Sequence, residues 1–150
     1  MFIPEDDYLK IIEVIPIPCV DLLIVHQRRC LLLRRNNEPG KGHYWFPGGR
    51  IFKMEKLSDA AIRKAKEEIN LKCKFEKIIS VEETIFEKQG QMSTDIHTIN
   101  ICCYLTAESI SNMKIDKYHD EFIWVTHENF VDFDLHPAVA RPLMSLFGHQ

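Results

Sequence analysis

Two adjacent glutamates, Glu67 and Glu68, follow a glycine pair, Gly48-Gly49, along the chain. Glycine lets a ligand approach the main chain closely because it has no side chain. Carboxylate oxygens suit Mg²⁺, which usually keeps several waters and binds through one or two carboxylates together with substrate phosphates. Arg63, four residues before Glu67, can hold that carboxylate or meet a phosphate. These residue types are typical of a magnesium site that handles phosphorylated substrates.

The segment that must position these acids, LSDAAIRKAKEEINL (57–71), has the pattern of an amphipathic helix. Ser58 or Asp59 can cap its start, and Asn70 tolerates the left-handed conformation that often ends a helix. At about 100° per residue, one side collects the apolar residues Ala61, Ile62, Ala65 and Ile69. The helix would therefore pack by one face and offer carboxylates on another.

A simpler interpretation treats Glu67 and Glu68 as a solvated helix face balanced by Lys64, Lys66 and Lys72. Exposed acids are the norm in soluble proteins, so residue type alone favours this interpretation. The spacing argues against it. Along the chain, with gaps of five, seven, three and two residues, stand Gly49, Glu55, Arg63, Glu67-Glu68 and Leu71.

This spacing resembles the Nudix box, a long motif with fixed gaps. The resemblance implies an α/β protein with the Nudix-type α/β/α sandwich and a mixed β-sheet. It also implies a hydrolase that acts on a nucleoside diphosphate linked to another group and uses Mg²⁺ or Mn²⁺.

Three positions depart from the box. Lys64 stands where the family normally has a glutamate, Ala65 replaces a larger aliphatic residue, and Asn70 replaces a glycine. The last two changes are mild, because Ala65 still packs and Asn70 can still end the helix. Lys64 removes a carboxylate, adds a positive charge and can pair with Glu68 at i,i+4. We therefore expect a weaker multi-metal cluster, which argues against the usual attack at phosphorus.

Beyond the box, the chain resembles the GDP-mannose mannosyl hydrolase branch, whose box is also altered. The shared features are Asp21 in an early strand, the runs 35–39 and 42–50, and His119-Asp120 before the strand 122–125. The resemblance implies that water attacks the anomeric carbon of the sugar and releases GDP and a free sugar.

The same resemblance implies roles for individual residues. One metal ion would be held by the Gly48 carbonyl and Glu68, and Glu67 is a further candidate ligand. His119 would be the general base, a role that suits imidazole near neutral pH. The departing diphosphate would be stabilised by Arg35, Arg50 and Arg63, with Arg35 and Arg50 also binding substrate.

Three positions allow more than one interpretation. Asp21 is a candidate catalytic and substrate-binding residue, although an acid in a strand can simply face solvent. Tyr118 stands where the branch offers a glutamine as a metal ligand, and Glu67 is retained where the branch can lose it.

Three functions follow from these observations. The first is Mg²⁺-dependent hydrolysis of a nucleotide-sugar, with GDP-mannose as the leading substrate. The second is a standard Nudix pyrophosphatase that cleaves a nucleoside triphosphate or another nucleoside diphosphate derivative. The third, favoured by Lys64, is an inactive Nudix module that binds nucleotide or protein.

The composition of the 150 residues predicts one domain over 1–150, large enough for a substantial core. A net charge of −3 argues against a nucleic-acid partner, and no apolar stretch is long enough for a membrane span. Five cysteines without a CxxC motif indicate reduced thiols of a cytoplasmic protein.

The remaining segments predict the rest of the sheet. After a polar lead-in (1–10) we expect a short edge strand at 11–17 that could form a homodimer contact, and a hairpin at 19–26 and 30–35. Strands at 74–87 and 96–106 and a connector at 108–117 precede His119, which is expected in a loop. Pro137 should open a last helix that is kinked or broken near Pro142.

Overall fold

The apolar runs of the chain form one sheet in the computed structural model, which describes residues 1–148. The strands are β1 (Ile17–His26), β2 (Arg29–Arg35), β3 (Tyr44–Trp45), β4 (Gly48–Arg50), β5 (Lys74–Phe86), β6 (Ile96–Thr106) and β7 (His119–Val125). The helices are α1 (Glu5–Ile12), α2 (Leu57–Ile69) and α3 (Pro137–Gly148), with a 3₁₀ turn at Phe130–Asp132. Among the residues described, no helix is both long and apolar enough to cross a membrane.

The sheet is mixed, with the order β3-β2-β1-β6-β5; β4 pairs with β1, and β7 pairs with β2. Strands β1 and β6 run parallel, from Ile17 opposite Thr98 to Val25 opposite Thr106. The expected hairpin of β1 and β2 is present, and both residues of its turn, Gln27 and Arg28, have positive φ. A tight turn of this kind matches the twist of the strands it joins.

The two faces of β1 build two cores. Val20, Leu22 and Ile24 pack with α2, whereas Leu23 and Val25 pack with α3. Because successive side chains of a strand point to opposite faces, one central strand serves both layers. The predicted α/β/α sandwich is confirmed, with helices on both sides of a mixed sheet.

The N-terminal prediction was wrong. Residues 5–12 form helix α1 instead of a polar lead-in followed by a strand at 11–17, and the first strand begins at Ile17. Three acids, Glu5, Asp6 and Asp7, occupy the first turn, where their negative charges interact favourably with the positive end of the helix dipole. Short apolar runs fit either a strand or a helix, and here the charges around the run decide for a helix.

Helix α2 ends as predicted, since Asn70 adopts the left-handed conformation with φ 53°. Its start differs from the prediction: Lys56 is the N-cap residue, and no side chain caps the helix there. Ile62, which was predicted to lie in the core, is 39% exposed, and Ala60 is buried there instead. The helix is thus rotated slightly relative to the predicted stripe.

Helix α3 begins at Pro137 as predicted but continues through Pro142 to Gly148. Pro142 is buried together with Val139, Leu143 and Leu146. A proline inside a helix removes one backbone hydrogen bond. Here the apolar packing of the same turns against the sheet keeps the helix continuous, so of the kink or break predicted near Pro142, the break does not occur.

Candidate active site

One cleft opens where the sheet, the diglycine strand and α2 meet, with a volume of about 740 Å³ including the solvent at its mouth. Strands β1, β3, β4, β5, β6 and β7, the end of β2 and α2 all contribute to its walls. The residues expected to act on substrate that line it are Asp21, Arg35, Gly48, Glu68 and His119. They are far apart in sequence, and the sheet order brings them together.

Gly48 lets β4 lie directly against β1. A Cβ atom at this position would lie 2.1 Å from the carbonyl oxygen of Val20 and 3.1 Å from Asp21 Oδ1. The backbone N–H of Gly48 donates a hydrogen bond of 3.0 Å to Glu68 Oε2. Gly48 thus lets β4 approach β1 closely, and its backbone N–H holds the Glu68 carboxylate at the cleft.

Glu68 is largely buried, and burial raises the pKa of its carboxyl group. The neighbouring Lys64 ammonium and the Gly48 N–H oppose this rise because they stabilise the charged form. Lys64 Nζ lies 3.2 Å from Glu68 Oε1 and 3.4 Å from Glu67 Oε2. The predicted i,i+4 pairing of Lys64 with Glu68 is confirmed.

Asp21 is not a solvent-facing strand residue, since only 4% of its surface is exposed. Burial raises its pKa to about 7. Asn100 Nδ2 and Trp45 Nε1 both donate to Asp21 Oδ2, over 3.1 Å and 3.4 Å. These hydrogen bonds oppose the rise without cancelling it, so the carboxyl group takes up a proton near neutral pH.

A row of polar side chains supports Asp21 from β5 and β6. The Thr98 hydroxyl donates to Asn100 Oδ1 over 2.7 Å, and the Thr84 hydroxyl lies 3.4 Å from the same oxygen. With its oxygen engaged in this way, Asn100 must turn its amide N–H₂ toward Asp21. The sequence analysis missed these three residues, because alternation along a strand does not indicate which strand lies beside it.

His119 begins strand β7 and is buried, which corrects its expected place in a loop. Its Nδ1 lies 2.7 Å from Asp116 Oδ1. A carboxylate on one ring nitrogen fixes the tautomer and leaves the other nitrogen, Nε2, with its lone pair available. Asp116 was missed in the sequence analysis, because an acid three residues before a histidine is too common to be a signal.

Arg35 is the arginine that lines the cleft among the three expected at the diphosphate. Its Nε donates to the Pro39 carbonyl over 2.6 Å. Burial lowers the pKa of the guanidinium, and the charges of Glu68 and Asp21 oppose this effect. Arginine stays charged in proteins, so Arg35 supplies a fixed positive charge to the cleft.

Arg63 lies outside the lining of this cleft. It donates to Glu55 through Nε and Nη2, over 2.7 and 2.8 Å, and to the Arg50 carbonyl over 3.1 Å. Its remaining nitrogen meets Glu67 over 3.2 Å, and its guanidinium lies 3.7 Å from the centre of the Phe52 ring. With these donors engaged, Arg63 fastens the loop after the diglycine to α2.

Arg50 and Glu67 also lie outside the cleft lining. Arg50 donates to the Met1 carbonyl over 3.0 Å, and its guanidinium lies over the rings of Tyr8 and Phe52. The Glu67 side chain is 49% exposed and faces Arg63 and Lys64. Of the two adjacent glutamates, only Glu68 reaches the cleft.

The oxygen donors of the cleft suit one hard cation. Glu68 offers a carboxylate beside the diglycine backbone, with Asp21 in the same cleft. Among residues 1–148, no group of three or more His, Cys, Asp or Glu side chains is arranged to hold a metal ion. Since Mg²⁺ often binds through one or two carboxylates, waters and substrate phosphates, these residues fit one ion and do not form a multi-carboxylate cage.

Comparison with known proteins decides the family. The family model described as the NUDIX domain matches residues 16–147. The chain belongs to the Nudix hydrolase family. Nudix hydrolases generally use a divalent metal ion and act on small nucleotide derivatives.

Curated relatives share sequence with this Nudix chain. The low-salt glycan biosynthesis protein Agl8 of Haloferax volcanii is 33% identical over 149 residues, covering 96% of this chain and 90% of that protein. The ADP-ribose pyrophosphatase of Methanocaldococcus jannaschii is 35% identical over 66 residues, covering 44% of this chain and 39% of that protein.

Solved structures share the fold. The MutT protein from Methanosarcina mazei superimposes with a TM-score of 0.71 at 24% identity, covering 89% of this chain and 94% of that one. An Ap4A hydrolase of C. elegans gives a TM-score of 0.67 at 18% identity, covering 89% of this chain and 96% of that one.

Proposed function

We propose that this Nudix protein hydrolyses a nucleotide-sugar, with GDP-mannose as the leading substrate, to a free sugar and GDP. The main support for the proposal is the set of side chains that line the cleft. His119, which Asp116 contacts from outside the cleft lining, shares the cleft with a single glutamate of the box, Glu68, whereas Glu67 stays outside. One base and one carboxylate suit attack on carbon better than a reaction that needs several metal ions.

In this mechanism His119 accepts a proton from water through Nε2 while the water oxygen bonds to the anomeric carbon. The bond between that carbon and the diphosphate oxygen breaks, and its electron pair leaves with GDP. Asp116 holds the imidazole in the required tautomer and stabilises its protonated form. Asp21 receives or donates a hydrogen bond at a sugar hydroxyl.

Charge on the departing diphosphate needs stabilisation in the transition state. Arg35 supplies it from the protein side, since this residue lines the cleft. We give Arg63 and Arg50 positioning roles, because their contacts hold the loop after the diglycine and the N-terminal segment. Mg²⁺, with Mn²⁺ as an alternative, would be held by Glu68 and the Gly48 carbonyl and would supply Lewis-acid stabilisation of the diphosphate.

A relative named for glycan biosynthesis supports a sugar-linked substrate. The competing function is a standard Nudix pyrophosphatase, which the shorter match to an ADP-ribose pyrophosphatase favours. The names of both relatives are compatible with a substrate in which a nucleoside diphosphate is joined to a sugar. The two functions therefore differ in which bond of that substrate is broken. Lys64, which replaces a box carboxylate, favours the third alternative, a module that only binds nucleotide.

The test is a panel of nucleotide-sugars incubated with Mg²⁺ in oxygen-18 water, with products identified by mass. We expect a free sugar that carries the label and unlabelled GDP, and a loss of about 10²–10⁴-fold in rate for His119→Gln. Label in a phosphate product, with near-normal rate for His119→Gln, would establish the pyrophosphatase instead. The absence of turnover for any nucleotide would leave only the binding module.

We also propose a homodimer in a reducing compartment such as the cytoplasm. All five cysteines are free thiols, which supports the compartment. Exposed apolar side chains near the N-terminus, including Phe2 and Val14, support self-association.

A further inference from the structure

Lys64 occupies an unusual place for a lysine. Most lysine ammonium groups stand in water, yet the side chain of Lys64 is only 17% exposed. Its Nζ lies between two carboxylates, 3.2 Å from Glu68 Oε1 and 3.4 Å from Glu67 Oε2. A positive charge therefore stands between the two adjacent acids of the box.

The diglycine makes room for this side chain. A Cβ atom on residue 49 would lie 2.7 Å from Lys64 Cε and 3.1 Å from Lys64 Nζ. With glycine at this position, the lysine stem lies directly along the backbone of β4. Gly48 accommodates β1, and Gly49 accommodates Lys64, so the two glycines have different tasks.

We propose that the ammonium group of Lys64 is a built-in cation of this site, which takes the place of a second divalent ion between Glu67 and Glu68. It pairs with Glu67, which Arg63 also contacts, and with Glu68 Oε1, and it leaves the rest of the Glu68 carboxylate for a single divalent ion. The inference rests on the metal site of the proposed function, but it does not depend on the substrate or on the bond that breaks.

Repulsion between the Lys64 ammonium and a bound divalent ion should lower the affinity of the site for that ion. A divalent ion on Glu68 and the Lys64 ammonium share one carboxylate, so they stand only a few ångströms apart. Like charges at that separation repel by more than 1 kcal/mol even in a watery environment, which is about tenfold in affinity. The first ion is therefore held less tightly than Glu68 alone would hold it, and a second ion finds its position already positive.

The test counts Mn²⁺ bound per chain, without nucleotide, by equilibrium dialysis and electron paramagnetic resonance. We expect one ion for the wild-type protein and two for Lys64→Glu, which replaces the cation with a carboxylate. Lys66→Glu is the matched control, because it makes the same charge change at an exposed position of the same helix. The control should keep one ion.

Lys64→Met provides a second measurement should Lys64→Glu destabilise the helix. It removes the charge but keeps the length of the stem, so we expect one Mn²⁺ bound about tenfold more tightly than in the wild type. Two ions in the wild-type protein, one ion in a folded Lys64→Glu variant, or unchanged affinity in Lys64→Met would each overturn the proposal. A wrong assignment of substrate or bond would appear in the product analysis and would leave these counts unchanged.

Discussion

At the scale of single residues, Asp21 exchanges a proton near neutral pH because it is buried. Its pKa is raised to about 7, while an unfolded chain leaves it near its ordinary value of 3.8. Between those values the folded protein binds more protons than the unfolded one, so stability falls as pH rises from about 4 to 7 and then levels off.

Asp21→Asn should remove this pH dependence. The quantity to compare is the free energy of unfolding of the wild type minus that of the variant. We expect this difference to decrease by at most about 4 kcal/mol between pH 4 and 7, because one pKa unit corresponds to about 1.4 kcal/mol. Urea denaturation across this pH range, without divalent ions, measures it. Asp6→Asn, at an exposed position of α1, is the control and should leave the pH dependence of stability unchanged. If the difference in unfolding free energy between the wild type and Asp21→Asn is the same at every pH, the raised pKa of Asp21 is contradicted.

Asp116 should matter through His119 alone. Asp116→Asn removes a charged partner at 2.7 Å from Nδ1. Hydrogen bonds to charged groups contribute about 1.5–3 kcal/mol, so we expect kcat to fall about 10- to 100-fold while KM changes little. Steady-state kinetics on the active nucleotide-sugar provide the measurement.

Asp120→Asn is the matched control, because Asp120 is exposed and pairs with Arg34 instead. An equal loss in both variants would mean that Asp116 does not act through His119.

At the scale of elements, Arg63 joins the loop after the diglycine to α2. It meets Glu55 with two hydrogen bonds, and Glu55 in turn accepts a hydrogen bond from the Phe52 amide. A lysine cannot reproduce the planar fork of arginine. We therefore expect Arg63→Lys to lower the local stability of this loop by about 2 kcal/mol, without unfolding the sheet.

Hydrogen exchange at the Phe52 amide measures this effect, as a loss of protection of about 30-fold. Lys66→Arg, a similar exchange at an exposed position of the same helix, should leave the protection unchanged. Normal protection of the Phe52 amide in Arg63→Lys would show that the loop is stable without the contacts of Arg63.

The sequence predicted elements and contiguous motifs better than contacts between them. The spacing of the box placed Glu68 near the diglycine, because one loop and one helix connect them. The Asp21–Asn100 hydrogen bond joins residues 79 positions apart. No local pattern indicates that β1 and β6 are neighbours, so this contact and the burial of Asp21 required the structure. Helix α1 was missed for another reason, since a short apolar run has no distinctive period.

At the scale of the whole molecule, the N-terminus leaves apolar surface uncovered. Helix α1 buries none of its residues fully, and Phe2, Val14 and Ile15 beside it are exposed. Apolar surface of this kind is typical of an interface. We expect a dimer in sedimentation analysis, and a shift toward monomer in the double variant Phe2→Ser, Val14→Ser.

Val131→Ser, at another exposed apolar position, is the control and should remain dimeric. A wild-type protein that sediments as a monomer at every concentration would contradict the prediction.

The parallel pairing of β1 and β6 has a consequence for synthesis of the chain. Every residue pair in that ladder joins positions about 80 apart, so the pairing forms late and slowly. On the ribosome, β1 is made about 80 residues before β6, so at about 5–20 residues per second the edge of β1 that pairs with β6 stays unpaired for several seconds. We expect a holding chaperone to bind this strand in the nascent chain until β6 has left the ribosome and paired with it.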